Sequence, residues 1–349
     1  MPRVGVALAT ALSALTCAQA AAPPTKKLDV SRADVQQFIG TMAETHRFDP
    51  KELTATLSGA TTQGRIIEAI SRPAERTIPW WEYRDRFLTN ARIDAGVALW
   101  AQQQATLDRI AADTGVPAEY LLAITGVETS FGRIMGSYRV LDALTTLAFD
   151  YPRRSEFFTQ ELEQYLLLAR DENLSPDTPL GSYAGAMGAP QFMPSSVRRY
   201  AVDGDGDGRR DLWGNWADVF ASIANYLKAY GWRRDEPVLV DAQISGPADD
   251  PANTRLELNE TVSGLRARGY RFDTALADST QAMLVPAQQR DALQWRVGFA
   301  NFYAITRYNR SALYAMAVND LAQALAQRRR AQSVGAASAP ATAPAPASE

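Results

Sequence analysis

Residues 115–132 read Gly-Val-Pro-Ala-Glu-Tyr-Leu-Leu-Ala-Ile-Thr-Gly-Val-Glu-Thr-Ser-Phe-Gly. Gly115-Val116-Pro117 ends one helical pattern and opens the next, with proline where a first helical turn tolerates it. In the new helix Glu128 lies four residues after Ile124, seven after Leu121 and three before Phe131. At helical periodicity these residues share one face, and Gly132 is placed to cap the helix. The pattern therefore puts a carboxyl group on an apolar stripe close to a helix C-terminus. Desolvation and the negative helix end both disfavour its ionised form. A pKa raised in this way suits a general acid working near neutral pH. A glutamate that merely ends a helix in an ion pair leaves the same local pattern, so Glu128 alone does not decide the function.

Helical texture extends on both sides. Residues 29–70 carry Val35, Phe38, Ile39 and Met42 at helical spacing, with Ser31 or Asp34 as cap. Arg72-Pro73 breaks that pattern, and Ile78-Pro79-Trp80-Trp81 forms a rigid aromatic elbow. Residues 92–114 read as one long amphipathic helix, and helical pattern continues to about Trp232. Three short strand-like runs then follow among turn residues, at 238–240, 255–258 and 282–285. Helix resumes over 311–328. The expected fold is mainly α with a small β-sheet domain, an α+β chain. Its parts are an N-terminal helical domain at 23–90, a helical core at 91–235 plus 291–330, and the β domain at 236–290.

The 349 residues are 46% hydrophobic and 21% charged, which excludes global disorder. A net charge of −3 gives no bulk attraction to nucleic acid or to an anionic membrane. With Cys17 as the only cysteine, no intrachain disulfide and no Cys-rich zinc site can form. His46, the only histidine, excludes a His-cluster metal site and reads as an exposed helix residue. Residues 1–22 form an export signal, with Arg3, an apolar run too short to span a bilayer, and the small-residue site Ala18-Gln19-Ala20. Cys17 offers a second, poorer reading as a lipid-anchor site, because Ala14 and Thr16 depart from the lipoprotein pattern. Residues 331–349, mostly Ala, Pro and Ser, read as a disordered tail.

Three further stretches carry chemistry. Gly185-Ala186-Met187-Gly188-Ala189-Pro190-Gln191-Phe192-Met193-Pro194-Ser195-Ser196 is a glycine-rich loop. Its backbone can approach a ligand closely, Phe192 and Met193 can wall a groove, and the serines can cap the next helix. Asp203-Gly204-Asp205-Gly206-Asp207-Gly208 matches the front half of an EF-hand calcium loop. Arg209 offers only its carbonyl, position twelve is Gly214 instead of Glu, and Asp218 can close a lengthened loop. Hard oxygen donors suggest calcium over magnesium. Asn301-Phe302-Tyr303-Ala304-Ile305-Thr306-Arg307-Tyr308-Asn309 interleaves aromatics with amides and arginine, a mixture that suits sugars. Arg153-Arg154 is a compact basic pair that faces an anionic ligand or solvent.

In this order the motifs resemble the membrane-bound lytic murein transglycosylase B family, over about residues 30–328. The resemblance rests on GVETSFG at 126–132, LDALTTLAFDYPRR at 141–154, YAGAMGAPQFMPSS at 183–196, the calcium-type loop and NFYAITRYN at 301–309. It implies a goose-lysozyme-like helical core carrying the active-site groove. It also implies a peptidoglycan lytic transglycosylase, a carbon-oxygen lyase that cuts between N-acetylmuramic acid and N-acetylglucosamine and leaves a 1,6-anhydro ring. Glu128 would act as the single acid and base, assisted by the substrate's N-acetyl group. Glycan contacts would fall on Tyr83, Arg153, Arg154, Ser182, Gln191, Phe192, Tyr226, Tyr308, Asn309 and Tyr314. Calcium would be held by Asp203, Asp205, Asp207, the Arg209 carbonyl and Asp218, in the loop 203–218, with no organic cofactor. Asp142 and Asp150 look structural by the same resemblance. The chain departs from the family in an extra residue between Trp213 and Asp218, and in Ala189-Pro190 where an aromatic and a glycine are common.

The expected partner is the peptidoglycan glycan strand, met by a monomer in the periplasm, with other cell-wall enzymes as open candidates and nucleic acid excluded. Two rivals remain at this level. A hydrolytic muramidase on the same fold needs a second carboxylate to activate water. A non-catalytic peptidoglycan-binding protein has no use for a costly carboxyl on an apolar face.

Overall fold

A computed structural model describes residues 25–71 and 78–337. The proposed leader, Cys17, Arg72-Pro73 and the tail from 338 onward lie outside the described residues. The N-terminal part holds α1 (Ala33–His46), α2 (Pro50–Ser58) and α3 (Gly64–Ser71), with the short pair β1 (Lys26–Lys27) and β2 (Thr61–Thr62). Then come α4 (Trp80–Asp85), α5 (Asn90–Gln102), α6 (Gln104–Thr114), α7 (Ala118–Thr129), β3 (Tyr138–Arg139), α8 (Val140–Asp150) and α9 (Ser155–Asp171). They are followed by β4 (Leu180–Gly181), α10 (Pro194–Tyr200), α11 (Trp216–Ala229), β5 (Leu239–Ile244), β6 (Glu260–Thr261) and α12 (Val262–Ala267). The chain continues through β7 (Tyr270–Arg271), β8 (Gln281–Gln288), β9 (Leu293–Gly298), α13 (Ala300–Tyr308) and α14 (Ala312–Ala337).

The helix α7 sits at the centre. Leu121, Leu122, Ala123 and Ile124 are all fully buried, and α5, α6, α11 and α14 pack around them. A helix that is apolar on nearly every side is a core helix, so the single apolar stripe expected from the sequence is corrected. Among its last residues, Val127 and Glu128 are the ones that come half out of the core. The five-stranded sheet has the order β6-β8-β9-β5-β7 and is antiparallel throughout. Successive residues of β8 serve opposite cores. Ala282 and Leu284 pack toward α12, whereas Met283, Val285 and Ala287 join the helical core. Burial on both faces explains why this strand reads as an unbroken apolar run.

Several expected boundaries move. The long helix over 92–114 is two helices, because Gln103 leaves helical geometry at φ −111°, ψ 20°. That break lets α5 pack on α14 and α6 on α11. Residues 255–258 form no strand; Leu256 and Leu258 pack against the helical core instead. The sheet extends to Gly298, past the boundary expected at 290, because β9 pairs with both β5 and β8. The helix expected to end at 328 runs to Ala337, into the stretch read as tail, where Ala and Gln still favour helix. Neither Ser31 nor Asp34 caps α1; Arg32 occupies the cap position without a side-chain cap bond. His46 is half-buried, not exposed, with Nε2 3.0 Å from Glu163 Oε1.

Phe131 closes the core directly after α7. A Cβ built on Gly96 would lie 2.6 Å from its ring and 2.5 Å from Leu325, and one on Gly126 would lie 2.8 Å from the ring. Two helical glycines thus make the slot that this phenylalanine fills. Gly96→Ala gains about 1 kcal/mol in helix propensity. The forced shift of Phe131 and Leu325 costs up to about 3 kcal/mol. Denaturant melts should therefore show a net destabilisation of about 1–2 kcal/mol.

Candidate active site

The end of α7 is shaped by three residues in the left-handed region, Ser130 (φ 53°), Phe131 (φ 61°) and Gly132 (φ 76°). Ser130 takes the cap position expected for Gly132. The two non-glycine residues each cost about 1–2 kcal/mol in this conformation, so surrounding contacts must hold them. The Phe131 N–H donates to the Thr125 carbonyl at 3.0 Å, and the Gly132 N–H donates to Thr129 Oγ1 at 2.9 Å. The chain therefore turns sharply away just past Glu128.

Glu128 is half-buried, and Tyr314 of α14 donates its hydroxyl to Glu128 Oε1 at 2.6 Å. Burial, and then the nearby Glu128 charge, push the Tyr314 hydroxyl well above its usual pKa. Tyr308 is raised by the same two causes in the same order. Both phenols thus stay protonated donors across the ordinary pH range. Tyr308 stacks on Tyr314 with ring centres 6.3 Å apart, and lies 4.8 Å from Tyr226 and 5.6 Å from Phe192. Tyr226, Tyr308 and Tyr314 form an aromatic wall fixed from α11, α13 and α14, and Phe192 of the glycine-rich loop packs against it. Tyr226 donates to the Arg307 carbonyl at 2.7 Å and Tyr308 to the Pro190 carbonyl at 2.5 Å, so each ring also pins a neighbouring segment.

The glycine-rich loop faces this wall. Ser182 Oγ accepts the N–H groups of Ala184 (3.3 Å) and Ala186 (3.1 Å), which holds the start of the loop in a tight turn. Gly188 (φ 68°) passes so close to Leu212 that an added Cβ would meet its carbonyl oxygen at 2.4 Å. Gln191 is itself left-handed (φ 51°), and its side-chain amide donates to the carbonyls of Gly188 (2.9 Å) and Met135 (3.1 Å). The serine pair does not cap α10. The Glu161 carboxylate on α9 meets that N-terminus instead, accepting the Ser195 N–H at 2.9 Å and its hydroxyl at 2.6 Å.

Between loop and wall lies a cavity of about 400 Å³ lined by Glu128, Ser182, Tyr183, Ala184, Ala186, Gln191, Phe192, Met193, Ser196, Tyr226, Tyr308 and Asn309. It gathers residues drawn from three separate sequence motifs together with Tyr226, and Tyr314 joins them through Glu128. Tyr183 was not anticipated; an exposed aromatic beside Ser182 in a glycine-rich stretch was the available signal. Tyr83, Arg153 and Arg154 do not line this cavity. Tyr83 is buried in the core, close enough to contribute to the raised pKa of Tyr314. Arg153 and Arg154 lie on an exposed turn, where Arg154 stacks over Phe157 at 4.4 Å and Phe158 at 5.1 Å. A larger cavity, of about 690 Å³, lies away from Glu128 between the end of α9 and the acidic loop.

The other carboxylates near the motifs are engaged elsewhere. Asp142 is 3% exposed and accepts the Thr61 N–H, the Gln63 amide and two Arg139 nitrogens. Asp150 accepts from Arg32 at 2.6 Å.

In the acidic loop, Asp203, Asp205 and Asp218 each bring a carboxylate oxygen within 4.8 Å of the others. Asp218, fully buried in the first turn of α11, accepts the N–H groups of Gly204 and Asp211, each at 2.7 Å. Three residues before it, Asn215 caps α11 and donates to Asp205 at 2.9 Å. Burial raises the Asp218 pKa, whereas backbone N–H groups, Gly208 first, lower that of Asp203. Asp207 stands outside the three-carboxylate cluster, accepting the Arg209 N–H at 2.8 Å. Converging hard oxygen donors of this kind fit a calcium-type cation.

The chain matches the family described as the transglycosylase SLT domain over residues 31–323. It is 41% identical over 305 residues to membrane-bound lytic murein transglycosylase B of Escherichia coli K12, covering 85% of this chain and 83% of that one. Among solved structures it is similar to the soluble lytic transglycosylase SltB1 of Pseudomonas aeruginosa in its catenated form. There the TM-score is 0.81 and the identity 45%, over 85% of this chain and 98% of that one. The Escherichia coli lytic transglycosylase Slt35 in complex with calcium gives a TM-score of 0.78 and 41% identity, over 86% of this chain and 96% of that one.

The hydrogen bonds at Asp142 carry a stability prediction. Asp142→Asn removes the charge that Arg139 faces and misplaces one acceptor. A cost of about 1.5–3 kcal/mol is expected, read as a lower denaturation midpoint with an unchanged slope.

Proposed function

The chain belongs to the transglycosylase SLT domain family and is a lytic transglycosylase acting on peptidoglycan, and from that premise we propose that Glu128 performs both proton transfers of the cleavage. The observation that carries this reading is the place of Glu128 in the groove wall. Among the described residues that line the groove it is the one carboxylate, half in the core, with Tyr314 on one oxygen. Its protonated form gives its proton to the oxygen between N-acetylmuramic acid and N-acetylglucosamine as that bond to C1 breaks. The substrate's own acetamide oxygen supports the positive charge that develops at C1. The Glu128 carboxylate then takes the proton from the C6 hydroxyl, whose oxygen bonds to C1 and closes the 1,6-anhydro ring. Atoms balance without water, and Glu128 ends protonated for the next cycle. Two-step acid–base work by one group is economical only if its setting is fixed, and the Tyr314 hydrogen bond supplies that.

The remaining groove residues hold the strand. Phe192, Tyr226 and Tyr308 offer ring faces to sugar rings. Ser182, with its oxygen already accepting two N–H groups, has its proton free to give to a glycan oxygen, and Asn309 adds an amide at the open end. Gln191 spends its N–H groups on the carbonyls of Gly188 and Met135, so its part in glycan binding falls to its oxygen. A hydrolytic muramidase needs a second carboxylate to direct water, and Asp142 and Asp150 are both committed to structural arginines.

Asp203, Asp205 and Asp218, with Asp207 and the Arg209 carbonyl, would hold a calcium ion that ties the loop to α11. Such an ion supplies positive charge among carboxylates that otherwise repel, a stabilising and not a catalytic contribution. The protein works in the cell envelope. We read residues 1–22 as an export signal to the periplasm, with a lipid on Cys17 as the less favoured form. No helix among the described residues is long and apolar enough to cross a membrane.

Two outcomes check these readings. Digestion of purified peptidoglycan should give muropeptides lighter than lysozyme products by the mass of water. Glu128→Gln should lower their rate by at least about a hundredfold, the usual scale for losing an acid–base group. Hydrated products would contradict the reading. Chelation with EGTA should lower the melting temperature by about 5 °C relative to calcium at a hundredfold excess over its Kd. Superimposed melting curves would contradict the calcium site.

A further inference from the structure

Thr129, the residue after Glu128, is 1% exposed and does not line the groove. Its hydroxyl nevertheless touches both segments that meet at the carboxylate. Oγ1 accepts the Gly132 N–H at 2.9 Å, which holds the left-handed turn that leads the chain away from Glu128. The same hydroxyl donates to the Ala189 carbonyl at 3.0 Å, in the glycine-rich loop on the opposite side of the groove. The Thr125 carbonyl lies at the longer distance of 3.2 Å and shares that proton. On its far side the loop is held by Ala189 N–H on the Leu212 carbonyl at 2.8 Å and by Tyr308 on the Pro190 carbonyl at 2.5 Å.

We propose that Thr129 is a positioning residue that sets the distance between the Glu128 carboxyl and the glycine-rich loop against which the sugar lies. The proposal rests on the reading of Glu128 as the acid and base. One small hydroxyl is needed because two jobs must be done at once by one atom, accepting from the turn and donating to the loop. Gln191 makes a second link, to Met135 beyond the turn, but it acts on the loop that follows and not on the helix that carries Glu128. When the Thr129 link is lost, the scissile oxygen and the carboxyl are no longer held in register. Proton transfer is sensitive to displacements of that size, whereas sugar stacking on the aromatic wall is much less so.

The test compares wild type, Thr129→Val, Thr129→Ser and Glu128→Gln on soluble glycan strands, with rates normalised to the folded fraction. Valine keeps the shape and removes both hydrogen bonds; serine keeps both. The expected result is a kcat about ten- to a hundredfold lower for Thr129→Val. Its KM should stay near the wild-type value, and kcat should be restored in Thr129→Ser. If the valine variant does not fold, Thr129→Cys replaces it, since a thiol is a poor donor and acceptor, and the same loss of kcat is expected. Full kcat in the valine or cysteine variant, a loss confined to KM, or a serine variant as impaired as valine would overturn the proposal. Retained activity in Glu128→Gln would instead overturn the acid–base reading on which it rests.

Discussion

A carboxyl group carried by a helix that is buried on nearly every side has one direction open to it. Helix α7 is walled in by α5, α6, α11 and α14, and Glu128 comes out where that enclosure ends. The sharp left-handed turn after it is what creates the opening. Phe131 drops back into a slot floored by Gly96 and Gly126, so the chain leaves the helix end without covering it. The strain of that turn is balanced by the packing of one aromatic ring and by the backbone hydrogen bonds to Thr125 and Thr129. The groove thus depends on how the core closes beneath it.

The other walls follow from this constraint. The aromatic rings come from helices packed on α7, or on its neighbours, and each phenol that faces inward finds a carbonyl or carboxylate acceptor. Buried phenols with partners stay protonated and rigid. The glycine-rich loop is shaped by close backbone approaches, and its three left-handed positions, Gly185, Gly188 and Gln191, let it bend around the carboxyl. The acidic loop, farther along the chain, is tied at both ends to a buried carboxylate of α11. Those two bonds anchor the ends of the loop to the core, while residues 205–209 between them stay exposed.

Much of this was legible in the sequence where chemistry and local pattern agree. Glu128, Gln191, Phe192, Tyr308 and Asn309 come together in one cavity from the dense motifs at 126–132, 183–196 and 301–309, and Ser182 and Tyr226, which only the family resemblance implied, line the same cavity. What failed depends on tertiary packing. Nothing local marks the break at Gln103, which exists because α5 and α6 pack on different partners. Strand β9 is the exception, since Leu293-Gln294-Trp295-Arg296-Val297 alternates apolar and polar residues and its strand pattern was legible in the sequence. The serine cap of α10 failed because Glu161, distant in sequence, reaches that helix end first.

The central claim is that Glu128, the one carboxylate among the described residues that line the groove, both gives and takes the proton. Digesting peptidoglycan in water enriched in oxygen-18 tests this most directly, with each new saccharide end weighed by mass spectrometry. The account predicts no isotope in the new ends, because the C6 oxygen of the substrate closes the ring. Label at C1 of the newly formed muramic acid ends would show that water attacks, and would contradict it.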